Sequence, residues 1–594
     1  MNQLSANSSA SCMSKRRRNE KGQCAMAREL TVRIAGEAGQ GIQSAGEALC
    51  RAVRHAGLHL FAHKDYMSRI RGGDNYFQVR IAEQPVQCPR EQCDIIIALN
   101  PNSASAHAAS VGEDGMLIAD ASEGSIEAGG TRLVDFPLRK TAESVTGSTR
   151  AANSIAAGVI CRVSGVPEGS LEHGLRAVFA GRNEELVDKN LRAARTAYKM
   201  ASSCPSPGIS LEKSDAGSRL LIDGNQALAL GAIRAGCTFY SAYPMTPSTS
   251  IMNTMAHFAQ RYGLVVEQAE DEIAAINMVL GAWFAGARAM TASSGAGIAL
   301  MSEGISLAGM TETPVVVVDA QRPAPATGFP TRTEQADLNM AIHSGHGEFV
   351  RAVYAPGCIE QAFALAVKAF NMADKYQMPA IILTDQFLAD SIRDTAVPDV
   401  DAVQVERHVI DKEPSGDIKD YKRYTITESG ISPRAVPSWI HDAIYADSDE
   451  HTEEGHITED AAVRTQMVGK RLTTKLIGLS GEIEEPEAYN LDGADLVLVG
   501  FGSTRGVMRE ACDRVLDASV GSVHLSQVWP FPSTALYEML EHAPKIMTVE
   551  NNATGQLEDL ITWKTRLYVA GAIRKFDGRP FTVDELMRRI REKV

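Results

Sequence analysis

The stretch "YSAYPMTPSTSIM", residues 240–252, sets Pro244 and Pro247 among threonines and serines where a strand gives way to a helix. Thr246 followed by Pro247 reads as a helix start: threonine caps a first-turn N–H, and proline suits the first helical position. Free N–H groups beside hydroxyls suit an anionic or carbonyl ligand. A helix cap and nothing more would use the same residues. Downstream, Glu270, Asp271 and Glu272 head a run of small and apolar residues, "IAAINMVLGAWFAG". Acidic side chains there complement the helix dipole. One of them sunk among apolar neighbours could also hold and pass a proton. A third candidate is the glycine loop "GEAGQGIQSAG", whose spacing is G-x-x-G-x-G. A dinucleotide site would want G-x-G-x-x-G, which is not this spacing, and an acidic residue set convincingly at the end of a second strand, which the sequence does not offer.

These residues need sheets to hold them. Residues 218–395 alternate cleanly between helix and strand, the pattern of a doubly wound parallel sheet, which binds ligands at the carboxyl ends of its strands. Residues 28–200 open with strand, glycine loop and helix, and continue through "NYFQVRIAE", "CDIIIALN" and "DGMLIADAS" as another α/β layer. Residues 201–217 read as a Pro/Ser/Gly-rich linker. Residues 396–489 are charged and irregular and are expected to form an insertion, and residues 490–594 return to α/β. Residues 1–27, Ser/Asn-rich with a basic run at Lys15–Arg18, are expected to be disordered.

The totals fit such a plan. A chain of 594 residues exceeds what one core serves. A net charge of −14 speaks against nucleic acid as a main partner. No apolar run approaches a membrane span, and the first 28 residues show no apolar signal core. The ten cysteines contain no C-x-x-C, so no metal is expected in this chain, and reduced thiols in the cytoplasm are.

A carboxylate at the start of an Ala/Gly-rich helix, followed by a strand and "TASSG", is the arrangement thiamine-diphosphate enzymes use. The chain resembles, more closely, the α subunit of a 2-oxoacid:acceptor (ferredoxin) oxidoreductase of the 2-oxoglutarate synthase type, with a fused γ domain. "YPMTPSTS" is similar to that family's Y-P-I-T-P-S. "DAQRPAPATGFPTRTEQADL" is similar to its R-G-G-P-S-T-G-L-P-T-x-x-E-Q-x-D-L. "EDEIAAI", "YKRYTITESGISPRAVP", "VENNATGQL" and "GEAGQGIQSAG" with "SRIRGGDN" follow the family order. The resemblance implies three α/β units: a γ-type Rossmann-like domain over 28–200, a thiamine-diphosphate pyrimidine-binding-type domain over 218–395 and a transketolase C-terminal-like domain over 490–594.

It also implies roles. Glu272, favoured over its acidic neighbours by its spacing to "GAWFAG", would hydrogen-bond N1′ of the cofactor's aminopyrimidine. Thr246 would bond the oxoacid and Arg322 would grip its carboxylate, with Tyr243, Thr327 and Thr331 lining the site. Gly39 and Gly41 would lie near coenzyme A, and Asn552 would join the cofactor-binding set. Glu550, Asn551 and Asn552 could equally be turn residues. Two departures stand out: Pro323-Ala324 replaces the family's Gly-Gly beside Arg322, and Met245 replaces isoleucine. The G-D-G…Asn half-site for Mg²⁺ and diphosphate is missing; "GEDG" at 112 has no matching Asn. The expectation is therefore a separate β subunit carrying Mg²⁺, the diphosphate half and an iron–sulfur cluster, in an (αβ)2 assembly with coenzyme A as co-substrate and ferredoxin as acceptor. The substrate expected is 2-oxoglutarate. Pyruvate, branched-chain oxoacids, a non-redox thiamine decarboxylase and a non-catalytic nucleotide-binding module are the alternatives.

Overall fold

The computed structural model describes residues 28–69, 72–214, 218–410, 421–440 and 443–594; the tail expected to be disordered, 1–27, lies outside them. The described residues form three sheets.

The first sheet has eight strands in the order Leu133–Asp135, Val111–Ala119, Cys93–Ala98, Glu29–Ala38, Gly72–Ala82, His59–Asp65, Ile392–Thr395 and Leu220–Asp223. Leu30, Val32 and Ile34 alternate along its central strand and anchor a core with the helices Ile42–His55 and Ala152–Val163. Its last two strands depart from the sequence reading, which places them in the second block. They pair antiparallel, Ile392 opposite Ala62 and opposite Asp223, so the second block is stitched into the first sheet. Four-residue runs such as "IRDT" carry too little apolar alternation to say which sheet they extend.

The second sheet runs Val265–Gln268, Cys237–Ala242, Arg288–Ser293, Val315–Gln321, Pro379–Asp385, Ala352–Tyr354 and Gln527–Trp529. The first six are parallel, as the helix–strand alternation predicts, and the last adds antiparallel from the third block. The chain leaves Cys237–Ala242 for one edge, then returns to its other side at Arg288–Ser293. Strand order therefore reverses between these two, which opens a crevice at their carboxyl ends. The third sheet, Glu487–Tyr489, Val520–Leu525, Leu496–Phe501, Ile546–Glu550 and Gly571–Arg574, completes the α/β architecture.

The segment expected to be irregular contains a helical run, Ala461–Val468, Gly469–Thr474 in π form and Lys475–Ser480. Several of its charges point inward. Lys470 Nζ donates to Glu312 Oε1 at 2.7 Å, Lys475 pairs with the other oxygen, and Arg423 Nη2 donates to the Glu312 carbonyl at 2.6 Å. Burial alone would raise the Glu312 carboxyl; the Lys475, Lys470 and Arg423 charges overcome it and hold the group well below the usual carboxylate range. Two ammonium groups face one carboxylate, and burial pushes Lys470 down to about 8.

Glu312→Gln leaves both lysines buried without their counter-charge, so urea unfolding should show a loss of about 3–5 kcal/mol. Because the folded pKa is depressed, this contribution is present above the unfolded value and lost as pH falls. The gap between wild type and variant should begin to narrow below about pH 4 and keep narrowing as the pH falls further toward the depressed folded value.

Candidate functional site

The crevice at the strand switch holds Glu272. Asp271 caps the helix Glu272–Phe284 by accepting from Ala274 N at 2.7 Å, which aims the next side chain inward. Glu272 is 3% exposed, whereas Glu270 and Asp271 face outward. Burial thus separates three residues that the sequence presents as a block. Ser293, the last residue of Arg288–Ser293, donates its hydroxyl to Glu272 Oε1 at 2.9 Å. A side chain could not stand opposite: a Cβ on Gly297 would lie 2.4 Å from Glu272 Oε1 and 2.0 Å from Ser293 Oγ. One on Gly295 would lie 2.4 Å from Asp337 Oδ2. A buried carboxylate in a glycine-lined recess fits the aminopyrimidine half of thiamine diphosphate. Among the described residues no group of three or more His, Cys, Asp or Glu is placed to hold a metal ion.

The Thr246 joint is built differently from the reading of its sequence. The helix runs Thr249–Tyr262 with Ser248, not Thr246, at its N-cap, and no side chain caps it. Ser248 turns its hydroxyl back to the Met245 carbonyl at 2.8 Å instead of forward into the first turn. Asn225 fixes the loop by donating to Pro247 O and Ser250 Oγ at 2.9 and 2.7 Å. Tyr243 sits half-exposed just past the strand Cys237–Ala242.

Arg322 follows the strand Val315–Gln321 and donates through Nη1 to the Thr246 carbonyl at 2.8 Å. The structure therefore brings Glu272, Thr246 and Arg322 to neighbouring strand ends of one sheet. Arg322 is buried, and desolvation lowers its pKa while Asp337 offsets part of that. Asp337 and Asp319 escaped the sequence reading. Asp337 N donates to Gln321 Oε1 at 3.1 Å; burial and the neighbouring Glu334 push its carboxyl up to about 6, against the pull of Arg322. Asp319 is fully buried with neither oxygen hydrogen-bonded. Burial, then the Asp337 charge, raise it well above the usual carboxylate range. The only sequence signal was an aspartate ending the apolar run "VVVVD" and another in "EQADL".

The remaining predicted residues scatter. Thr327 lies exposed on the tip of the loop after Arg322. The tip turns at Gly328, φ 51°, where a Cβ would stand 1.8 Å from the Pro323 carbonyl. Thr331 does not face the crevice group: it is buried and donates to the Tyr66 carbonyl at 2.6 Å. Asn552 has no exposed surface, and its amide is spent on Gln335 O, Glu550 Oε2 and Gly555 N, bonds that close the turn after Ile546–Glu550. Gly39 and Gly41, φ 95° and 78°, form the turn between Glu29–Ala38 and Ile42–His55 of the first sheet. Beside the crevice, a cleft of about 660 Å³ runs along the outer face of the Glu272 helix, lined by Ile273, Asn277, Leu300 and Arg464 among others.

A family model described as "Pyruvate flavodoxin/ferredoxin oxidoreductase, thiamine diP-bdg" matches residues 230–470. "Pyruvate ferredoxin/flavodoxin oxidoreductase" matches 31–200, and "Pyruvate:ferredoxin oxidoreductase core domain II" matches 494–586. The 2-oxoacid:ferredoxin oxidoreductase subunit alpha of Sulfolobus sp is 33% identical over 93% of this chain and 95% of its own length. The 2-oxoglutarate oxidoreductase subunit KorA of Mycobacterium tuberculosis is 30% identical over 95% of this chain and 91% of its own. The solved 2-oxoglutarate:ferredoxin oxidoreductase of Magnetococcus marinus, with 2-oxoglutarate, coenzyme A and succinyl-CoA bound, superposes with a TM-score of 0.88 at 32% identity, covering 95% of this chain and 99% of that one. Motif order, the Glu272 crevice and these matches along nearly the whole length agree: the chain belongs to the 2-oxoacid:ferredoxin oxidoreductase α-subunit family.

Proposed function

We propose that this chain, with its γ-type first block, is the α subunit of a thiamine-diphosphate-dependent enzyme that oxidatively decarboxylates 2-oxoglutarate. The products are succinyl-CoA, CO2 and reduced ferredoxin, or the complex runs the reverse reaction. The observation that carries it is the buried Glu272–Ser293 pair at the switch point, with Arg322 anchored one strand away. The names of the 30%-identical KorA relative and of the oxoglutarate-bound neighbour favour 2-oxoglutarate over pyruvate and branched-chain oxoacids.

The cofactor, when bound, supplies the nucleophilic carbon and the electron sink on which an oxoacid loses CO2. This chain's residues do the rest of the positioning. Glu272 holds or gives a proton at the aminopyrimidine edge, and Ser293 fixes which of its oxygens faces inward. Arg322 presents a planar fork that matches a carboxylate. Thr246 offers a hydroxyl next to the carbonyl that Arg322 already grips. The half-exposed Ile273 and Leu300 beside Glu272, with the cleft they line, suit a β subunit that brings Mg²⁺, the diphosphate half and an iron–sulfur cluster in an (αβ)2 assembly. Gly39 and Gly41 are proposed near coenzyme A. Among the described residues no helix is long and apolar enough to cross a membrane, and a cytoplasmic enzyme is part of this proposal.

Affinity purification of the chain from its native extract should bring down a smaller partner. The pair should reduce viologen with 2-oxoglutarate only when coenzyme A is added; aldehyde release without coenzyme A would replace this reading with a simple decarboxylase. In that complex Glu272→Gln should lower kcat by about 10²–10⁴-fold, while Glu270→Gln stays near wild type. Gly328→Ala forces a clash with the Pro323 carbonyl and a strained φ, so the oxoacid KM should rise about tenfold with the coenzyme A KM unchanged.

A further inference from the structure

The loop that presents Arg322 is long, and its tip from Ala324 to Phe329 is exposed. Its near end is fixed by the Arg322 bond to Thr246 O. Its far end is not held by its own sheet alone. Thr331 donates to the Tyr66 carbonyl, and Arg332 forms a buried ion pair with Asp65. Thr333 N donates to the Gly578 carbonyl at 3.3 Å. Asp65 ends the first-sheet strand His59–Asp65, and its second oxygen takes Arg579 Nε from the third block at 3.0 Å. One carboxylate, 7% exposed, therefore joins all three blocks where the loop re-enters the core.

The mounting of Asp65 is stiff. Its strand pairs on one side with Gly72–Ala82 and on the other with Ile392–Thr395. The next residue, Tyr66, donates its hydroxyl to Asp390 Oδ2 at 3.1 Å. Asp390 closes the short helix Gln386–Asp390, which follows directly on the strand Pro379–Asp385 of the second sheet. The strand end bearing Asp65 is thus referenced to the sheet that carries the crevice.

We infer that Asp65 is a positioning residue of the oxoacid site: through Arg332 it sets the return end of the loop whose other end presents Arg322. The inference rests on the reading above that Arg322 grips the oxoacid. A guanidinium fork serves a carboxylate only when placed to a fraction of an ångström. A loop tethered at one end alone spreads that fork over many placements. With both ends fixed, the only freedom left is in the exposed tip. The first block then takes part in a site whose proposed oxoacid contacts on this chain all lie in the second, which gives a physical reason for carrying both blocks on one chain.

The test uses the chain with its co-purified partner. Asp65→Asn keeps the shape and removes the charge that Arg332 and Arg579 share. Its kcat/KM for the oxoacid should fall about 10²-fold, mainly through KM, with the coenzyme A KM unchanged. Arg332→Gln should do the same, and the double variant should be no worse than either single one. Thr331→Val, which loses only the Tyr66 bond, should shift the oxoacid KM in the same direction by less. An unchanged oxoacid KM in Asp65→Asn, equal losses for both substrates, or additive losses in the double variant would overturn the inference. A wild-type complex that oxidises no oxoacid would instead sink the reading of Arg322. The tether itself is then decided by hydrogen exchange on the full chain: amides of 323–333 should exchange faster in Asp65→Asn while those of Glu29–Ala38 stay protected. Unchanged exchange in the loop would show that Asp65 does not hold it.

Discussion

The arrangement turns on one constraint: a carboxylate must be kept out of water at the ends of parallel strands. Burying Glu272 is costly unless its oxygens meet donors, and Ser293 meets one of them. The recess must also be small enough to exclude water yet open to a ring. Gly295 and Gly297 meet both demands by lacking side chains, so that the Glu272 and Asp337 carboxyls approach the backbone closely. The strand order that reverses between Cys237–Ala242 and Arg288–Ser293 provides the gap itself. A change in any of these three would spoil the recess even if Glu272 were untouched.

Away from that recess the molecule also relies on buried charge to join its parts. Arg288 and Arg434 converge on Asp374, Lys470 and Lys475 on Glu312, and Arg332 and Arg579 on Asp65. Each set joins elements distant in sequence. Such ion pairs contribute little net stability over an apolar replacement, but breaking one partner leaves the other stranded. They therefore fix which surfaces meet. Asp319 is the exception: a buried carboxyl with no hydrogen-bond partner, raised well above the usual carboxylate range by burial and then by the Asp337 charge beside it.

Much of this was legible in the sequence. The α/β layering follows from apolar runs that alternate with helical periodicity, and "EDEIAAI" followed by "TASSG" pointed to Glu272 before any coordinates did. Local propensity could not tell which hydroxyl would begin the helix after Pro247, because the side chain of Ser248 had a competing acceptor in Met245 O. Nor could it separate Thr331 from Thr327 on one loop, since their fates depend on Tyr66, far away in the chain. The amide bonds of Asn552 were not legible either, because an Asn-Asn pair after a strand looks the same whether its amides face a cofactor or close a turn. Short strands were the least legible: "IRDT" and "QVW" join sheets begun in other blocks, and no pattern of three or four residues encodes that.

Those two strands also govern the order of events on the ribosome. The second sheet keeps an open edge at Ala352–Tyr354 until Gln527–Trp529 has been made, and the first keeps one at His59–Asp65 until Ile392–Thr395 arrives. At ~5–20 residues per second, each nascent edge stays unpaired for on the order of ten seconds or more. An unpaired strand edge invites pairing with a neighbouring chain. The same crossings that lock the blocks together thus make this a protein whose yield depends on what shields its half-built sheets during synthesis.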